Sequence, residues 1–386
     1  MIMGHEVDVI SGPPYPYLSD QVNLIKLPGL DLFQTFSFKE RLKIFLNKKD
    51  KKLIDFYEFF STLFGGFPEM RTFGHRANNF LKINHNYDVV IDNQSLSYGM
   101  LEIQKRFPFI GIIHHPISKD FKFELESANS FLYKLSRYRW YSFLKMQKKV
   151  AKNINRIITP SKNSLRDIVE DFGANKENIK VINNGLDIDI FIPYKEIKRT
   201  PFKLITTASA DVALKGLDYT LKSLFVLAKE FPQISLIVIG KMKDDGHTSR
   251  LINELSIQER VIFKTDLTKE EIAKEYASSS IAIVSSLYEG FGYPVIEAMS
   301  CEIPLIATNT ASIPELVGEF ANLITPKSEN ELSESIKSIF NNYQEFEKIA
   351  ESGRQHIIDN FNWLKITLEY EEMIFKTIQD FKNANL

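Results

Sequence analysis

With 386 residues, 44% hydrophobic and 25% charged, the chain has the composition of a soluble globular protein long enough for two domains. Its net charge of −1 hides an asymmetry: residues 1–193 carry 27 Lys and Arg against 21 Asp and Glu, and the remainder carries 21 against 28. The one cysteine, Cys301, excludes an intrachain disulfide and a cysteine metal cluster, and no uncharged apolar run reaches the roughly 18 residues of a membrane span. The first residues lack the basic, apolar and small-residue succession of a signal peptide, so a reducing cytoplasm is the expected compartment.

Met1-Ile2-Met3-Gly4 reads as a helix end with a glycine cap, and a strand over 7–10 follows. Residues 33–70 read as aromatic-rich helical pieces around a basic patch, Lys48-Lys49-Asp50-Lys51-Lys52, and 71–81 as another helix. Strands are predicted over 88–92, 107–113, 156–159 and 180–182, with a helix over 161–172. Strands alternating with helices mean a doubly wound parallel sheet, whose ligands bind outside the carboxyl ends of the strands. Asp92, Asn93, His114 and His115 fall at such ends.

Between Glu126 and Asp167 there is no acidic residue. This acid-free stretch reads as a basic helix, its cations running from Lys134 to Lys162, with interleaved aromatic residues, among them Phe131, Tyr133, Tyr138, Trp140 and Tyr141. Such a helix suits an anionic membrane surface, or packs its aromatic side on its own sheet and leaves its lysines in water. No nucleic-acid motif accompanies the charge, so nucleic acid is not an expected partner.

Residues 188–201 lack a period and contain Pro193 and Pro201, which marks them as an interdomain linker. A second α/β series follows, with strands over 203–207, 234–239, 261–264, 281–284, 304–307 and 322–324. Helices are predicted over 217–231, 269–278, 329–340, 346–357 and 363–381. The expected domains are 1–193 and 194–362, with a C-terminal helix over 363–386 packing back on the first.

The stretch from Ser285 to Ser300 carries the strongest chemical signal. The apolar run Ile281-Ala282-Ile283-Val284 reads as a buried parallel strand, and Gly290 and Gly292 stand where it gives way to a helix. A glycine-rich turn at a helix N-terminus lets backbone N–H groups approach an anion. Glu289 stands at the mouth of the turn, and Glu297 is expected about two turns into the helix. Lys215-Gly216 lies where the loop after the first strand of this series meets its helix, and a lysine there reaches a diphosphate at the same sheet edge. An alternative, a glycosidase acid–nucleophile pair of Glu289 and Glu297, is opposed by their separation of about 12 Å along a helix. Asp187-x-Asp189 is read as linker rather than as a metal-binding pair.

Four segments resemble glycosyltransferase family 4, retaining enzymes of the GT-B fold with two Rossmann-like domains facing across a cleft. They are Asn184-Gly185-Leu186-Asp187 with Phe191 and Pro193, the run from Asp211 to Leu217, the run from Ser286 to Ser300, and Pro304-Leu305-Ile306-Ala307 leading to Pro314-Glu315. The resemblance implies a nucleoside-diphosphate sugar as donor and a glycan or lipid-linked hydroxyl as acceptor. Lys215 would pair with the diphosphate, with Gly216 beside it. Glu289 would meet the transferred sugar, while Gly290, Phe291 and Gly292 would offer N–H groups to sugar and phosphates. Tyr293, Pro294 and Val295 would complete the donor site, and Glu297 would accept ribose hydroxyls. His114 or His115 would lie near the reacting sugar, with Asp92 and Asn93 on the acceptor side. No cofactor and no metal is expected, and a role in cell-envelope or exopolysaccharide synthesis follows by resemblance.

Two features depart from the family. The loop Ser209-Ala210-Asp211 lacks the arginine that usually precedes the Lys-Gly pair, which leaves Lys241 or another cation to replace it. The strand, Gly-rich loop and helix that open the family's first domain are also absent, so the first sheet is expected to lack a central strand and the chain to be short by about 30 residues, one βα unit. A nucleotide-sugar-binding protein without catalysis and a sugar-nucleotide epimerase on the same fold are the alternatives.

Overall fold

A computed structural model describes residues 3–384 except Gln34, Ser127 and Asn129. The expected helix end at Met1-Ile2 lies outside the described residues, and Gly4 has a φ of 84°. In chain order the elements are β1 (Asp8–Ser11), β2 (Asn23–Lys26), α1 (Phe38–Asn47), α2 (Leu53–Leu63), α3 (Glu69–Leu81), β3 (Val90–Asn93), α4 (Tyr98–Ile103), β4 (Phe109–Ile112), α5 (Ser118–Glu126), α6 (Phe131–Trp140), α7 (Leu144–Asn153), β5 (Ile157–Thr159), α8 (Lys162–Asp167) and β6 (Ile179–Val181). They continue with β7 (Lys203–Thr207), α9 (Leu217–Leu227), β8 (Ser235–Ile239), α10 (His247–Glu254), β9 (Val261–Lys264), α11 (Lys269–Ser278), β10 (Ile281–Val284), α12 (Tyr293–Ser300), β11 (Leu305–Thr308), α13 (Ile313–Val317), β12 (Asn322–Ile324), α14 (Glu329–Asn341), α15 (Tyr343–Phe361) and α16 (Trp363–Ala384).

The chain divides into two units. One comprises Met1–Thr159, Leu165–Lys180 and Glu372–Leu386, and the other Pro160–Ser164 and Val181–Glu371. The stretch over 188–201, expected as a linker, belongs to the second unit. Its Phe191 is buried in that unit's core, beside Leu186, Phe291 and Phe361. Arg354 donates to the Phe191 carbonyl at 2.9 Å and Ser300 Oγ donates to the same oxygen at 2.6 Å. The absence of a period here marks an irregular but packed segment, which polar side chains from α12 and α15 hold in place.

In the first unit β3, β4, β5 and β6 form a parallel sheet in that order, while β1 and β2 pair in parallel in a separate two-stranded sheet. β2 was not expected from its four residues, Asn-Leu-Ile-Lys, and its register with β1 is the only pattern that marks it. The basic aromatic stretch is not one helix. It is split into α6 and α7 by a turn at Tyr141–Phe143, where Tyr141, Phe143 and Leu144 enter the core. α6 itself buries no residue.

The second unit carries a six-stranded parallel sheet in the order β12-β11-β10-β7-β8-β9. The central strands β10 and β11 are buried throughout, as their continuous apolar runs require, while the edge strand β9 exposes Ile262, and Cys301 is a buried thiol at the C-terminal end of α12. The order reverses between β7 and β10, which are neighbours in the sheet though six elements apart in the chain.

A buried polar network organises the helices of the first unit. Asp55 and Glu58 on α2 are both buried. Asp55 receives Lys48 Nζ at 2.7 Å and Arg76 Nη2 at 2.8 Å, and Glu58 pairs with Arg76 and accepts the Leu30 N–H at 2.9 Å. Burial alone would raise the Asp55 carboxyl, but Lys48, the Lys52 N–H and Arg76 together hold it below its ordinary value. Replacing Arg76 with methionine leaves two buried carboxylates short of their cation, so R76M is expected to lose about 3–5 kcal/mol of stability in urea unfolding. Because the folded-state Asp55 is depressed, its contribution is present above its unfolded pKa and disappears as pH falls through the folded value; the difference between wild type and R76M is expected to narrow on acidification below pH about 4.

Candidate active site

The strand order of the second sheet places the loop after β7 next to the loop after β10. This is the switch point at which open parallel sheets bind ligands. The first loop brings Lys215 and Gly216 to the N-terminus of α9, and the second brings Glu289 to Gly292 to the N-terminus of α12. Lys215 Nζ and Glu289 Oε1 meet there at 2.7 Å. Their positions in the sequence are 74 residues apart, and the contact joins the two segments singled out for donor binding.

Small and hydroxylated residues make this meeting possible. Gly216 has a φ of 63°, and a Cβ added to it would stand 2.0 Å from the Ser285 carbonyl oxygen, so only glycine lets the loop lie against the end of β10. The Leu287 N–H donates to the Leu214 carbonyl at 2.7 Å, and the Ser285 hydroxyl, which Thr220 donates to at 3.0 Å, reaches the Gly216 carbonyl at 3.0 Å. The Ser286 hydroxyl donates to Glu289 Oε1 at 2.7 Å, so the same oxygen receives both a cation and a neutral donor. Glu289 is thus held in one place before any ligand arrives.

Further hydroxyls fix the turn's backbone. Ser312 Oγ donates to the Glu289 carbonyl at 2.8 Å and also reaches the Phe291 carbonyl. Ser161 and Ser164 donate to the Gly290 carbonyl at 2.7 and 2.9 Å. Glu315 accepts the N–H groups of Lys162 and Asn163, each at 3.0 Å, which ties the segment carrying these serines to α13. Among the described residues the N–H groups of Gly290, Phe291 and Gly292 take no part in the turn's backbone hydrogen bonds, while that of Val295 is given to the Gly292 carbonyl. Phe291 and Val295 point their side chains into the core, Tyr293 is exposed, and Pro294 starts the helix without an N–H.

α12 begins at Tyr293, so Glu297 lies little more than one turn into the helix rather than two. Burial pushes its carboxyl up to about 7, against the lowering effects of the Tyr276 hydroxyl hydrogen-bonded to it and of Lys269. Tyr276, wholly buried on α11, also shares a 2.9 Å hydrogen bond with Thr207 at the end of β7. The Glu297 carboxyl is therefore poised between acid and carboxylate near neutral pH, and ligand hydroxyls that donate to it favour the carboxylate. Asp187 pairs with Lys269, and among the described residues no group of three or more His, Cys, Asp or Glu could hold a metal ion.

In the loop where an arginine is usual, Asp211 has a φ of 62°, and its carboxylate accepts the N–H groups of Thr248 at 2.9 Å and Lys243 at 3.2 Å. Burial opposes ionisation of Asp211, but these N–H groups outweigh it and hold the carboxyl below its ordinary value. An acidic side chain serves as the brace of this loop, and Lys241 is exposed after β8.

In the first unit the predicted residues gather at the carboxyl ends of β3 and β4. Asn93 Oδ1 and His114 Nε2 are 2.8 Å apart, and His115 Nε2 lies 2.8 Å from Asp120 Oδ2. Gln94 joins the two strand ends, accepting the His114 N–H at 2.6 Å and donating to the His115 carbonyl at 3.1 Å. Burial lowers the His114 imidazolium's stability, with His115 adding to the effect, so its pKa falls below the ordinary value. Asp92 is buried and accepts the N–H groups of Leu96 at 3.0 Å and Ser95 at 3.3 Å, which makes it the brace of the loop after β3. Burial pushes its pKa up, against those hydrogen bonds.

Comparison with known proteins bears on the family and the fold. Residues 2–190 match the Glycosyltransferase Family 4 model and residues 190–356 the model for glycosyl transferases group 1. An MMP alpha-(1->4)-mannosyltransferase of Mycolicibacterium hassiacum is 36% identical over 382 residues, covering 97% of this chain and 91% of the relative. A probable sucrose-phosphate synthase of Thermosipho melanesiensis is 25% identical over 62% of this chain and 59% of its own length. Among solved structures, a sucrose-phosphate synthase from Thermosynechococcus elongatus superposes with a TM-score of 0.74 at 18% identity, covering 98% of this chain and 90% of that one. WaaG, a glycosyltransferase involved in lipopolysaccharide biosynthesis, superposes with a TM-score of 0.66 at 16% identity, covering 97% and 92%. The fold is that of the GT-B glycosyltransferases, and the chain belongs to the group 1 glycosyltransferase family.

Proposed function

We propose that the protein is a retaining transferase that moves a hexose from a nucleoside diphosphate to a hydroxyl of a glycan or lipid-linked acceptor, in the cytoplasm and in the building of cell-envelope or exopolysaccharide glycans. One observation carries this reading: a lysine and a glutamate from separate loops meet at the switch point of a parallel sheet, beside a glycine turn with N–H groups to offer. Mannose is the first sugar to test, supported by the near full-length likeness to a mannosyltransferase.

In this reading the donor diphosphate takes Lys215 from Glu289. Glu289, still held by Ser286, turns to the hydroxyls of the transferred sugar. As the glycosidic bond breaks, negative charge grows on the leaving phosphate. Lys215, the glycine N–H groups and the N-terminus of α12 stabilise that charge more than they stabilise the bound donor. The incoming hydroxyl attacks from the face the phosphate leaves, and a phosphate oxygen takes its proton. Glu297 holds the ribose hydroxyls, and no metal is assigned a step. In the first unit His114 or His115 is assigned to the reacting sugar and Asn93 to the acceptor side, with Asp92 holding their loop. The basic stretch from Lys134 to Lys162 is assigned to an anionic membrane surface.

A nucleoside-diphosphate mannose and UDP-glucose, each with and without oligosaccharide acceptors, test the reading by product analysis. The anomeric configuration is read by NMR. Retention supports same-face displacement, inversion overturns it, and epimerised donor without acceptor reveals the alternative chemistry. Lys215→Ala and Glu289→Ala are each expected to lower kcat/KM about 10²–10³-fold while circular dichroism and the thermal midpoint stay near wild type. Unchanged turnover in either variant overturns the assignment. Donor affinity, measured by calorimetry, is expected to tighten about tenfold between pH 6 and pH 8, because Glu297 must ionise to accept the ribose hydroxyls. In Glu297→Gln that pH dependence should vanish.

A further inference from the structure

Helix α2 buries two carboxylates and exposes aromatic side chains. Its buried residues are Asp55, Glu58, Phe59 and Thr62. Its exposed side is apolar: Leu53, Phe56, Tyr57 and Phe60, with Phe64 just beyond its end, form one stripe at intervals of three and four residues. Leu53 is 89% exposed, Phe60 51% and Phe64 75%. The helix cannot roll to hide this stripe. Asp55 is fixed by Lys48 and Arg76, and Glu58 by Arg76 and the Leu30 N–H. Rolling would strip two buried carboxylates of their partners. The polar network thus commits α2 to presenting aromatic side chains outward.

The same surface is basic. α1 and the loop after it carry six lysines, Lys39, Lys43, Lys48, Lys49, Lys51 and Lys52, and four of these, Lys39, Lys43, Lys49 and Lys52, are exposed. Of the four acidic residues over 38–64, Asp55 and Glu58 are consumed in the buried network, which leaves Glu40 and Asp50 facing out. α1 adds exposed Phe38 and Leu46, and Phe36 precedes it. Beyond α2, aromatic side chains half-buried against the first unit's core lead on to α6. Phe67 packs on Trp140, the last residue of α6, with ring centroids 5.0 Å apart, and Phe33 packs on both. α6 in turn exposes Phe131, Leu132, Tyr133 and Tyr138 among Lys134 and Arg139.

We propose that the α1–α2 hairpin is the main docking surface for an anionic lipid bilayer, with the α2 stripe entering the interface and the lysines meeting lipid phosphates. Aromatic and apolar side chains flanked by lysines match both halves of that interface, the apolar boundary and the negative surface. A second copy of the chain fits less well, because two-fold pairing would set the same lysines against one another. The inference stands apart from the transfer reading, since none of these residues is assigned to donor or acceptor.

The test is co-sedimentation of the full chain with phosphatidylcholine vesicles and with vesicles containing about one third phosphatidylglycerol. Binding is expected to the anionic vesicles only, weakening as salt is raised. Phe56→Ser combined with Phe60→Ser should weaken it about tenfold or more, and Lys49→Glu combined with Lys52→Glu should do the same. Donor-induced thermal shift should remain at its wild-type value in both, and the thermal midpoint should fall only in the phenylalanine variant, whose Phe56 and Phe60 are 40% and 51% exposed and pack at their inner edges on Phe45 and Phe59. No vesicle binding, equal binding to neutral vesicles, or unchanged binding in both variants overturns the proposal. So does a dimer, seen by light scattering, that the Phe56→Ser, Phe60→Ser variant abolishes. Loss on replacing Lys134 and Arg139 with glutamate, with the α2 variants unaffected, would move the surface to α6 and overturn it as stated.

Discussion

The candidate site depends on one close approach of backbone to backbone. The Lys215-Gly216 turn lies against the carbonyl end of β10 so tightly that a methyl group at Gly216 would overlap the Ser285 oxygen. This contact, with the Leu287-to-Leu214 hydrogen bond beside it, joins the loops of two strands that are adjacent in the sheet and distant in the chain. A lysine side chain alone spans many conformations and would spend entropy to settle at one. Here its backbone is fixed by glycine sterics and its ammonium by Glu289, so the cation is in place before a ligand binds.

On the proposed function, the pairing of Lys215 with Glu289 also sets what the site would accept. A neutral ligand gains nothing by separating the two, because the cost of breaking a half-buried ion pair is not returned. A diphosphate returns it, since it carries more charge than a carboxylate and offers several acceptor oxygens. Glu289 does not become an orphan in the exchange. Ser286 stays on the same oxygen, and a sugar supplies further hydroxyl donors. The pair therefore favours a ligand with both an anionic and a polyhydroxylated part, and disfavours either part alone.

Much of this was legible in the sequence. The second sheet's strands follow directly from continuous apolar runs such as Ile281-Ala282-Ile283-Val284, and the glycines mark where two of its loops bend. The strand-end argument already set Lys215 and the Glu289 turn at one sheet edge, but their direct ion pair was not foreseen. What stayed hidden has physical causes. β2 is four residues long and gains its order only from β1. Phe191 sits in an aperiodic segment that polar side chains from distant helices hold. Ser161 and Ser164 act on the Gly290 carbonyl from more than a hundred residues away, and a hydroxyl that bonds to backbone leaves no complementary residue to look for. Asp211 stands where a cation was sought, and its backbone partners explain the acid.

The glycine turn of the second unit and helix α2 of the first are braced in different ways. In the second, hydroxyls of Ser161, Ser164, Ser286 and Ser312 brace a glycine turn without bringing charge into the core, so the few charged groups at the site remain available to a ligand. In the first, Lys48, Asp55, Glu58 and Arg76 neutralise one another under α2. Their charges hold a helix whose Phe59 and Leu63 face the core while Leu53, Phe56 and Phe60 face out. A network of that kind is costly to desolvate, and well-packed apolar residues would serve stability as well or better. By fixing α2 it also fixes the outward aromatic stripe on which the docking proposal rests.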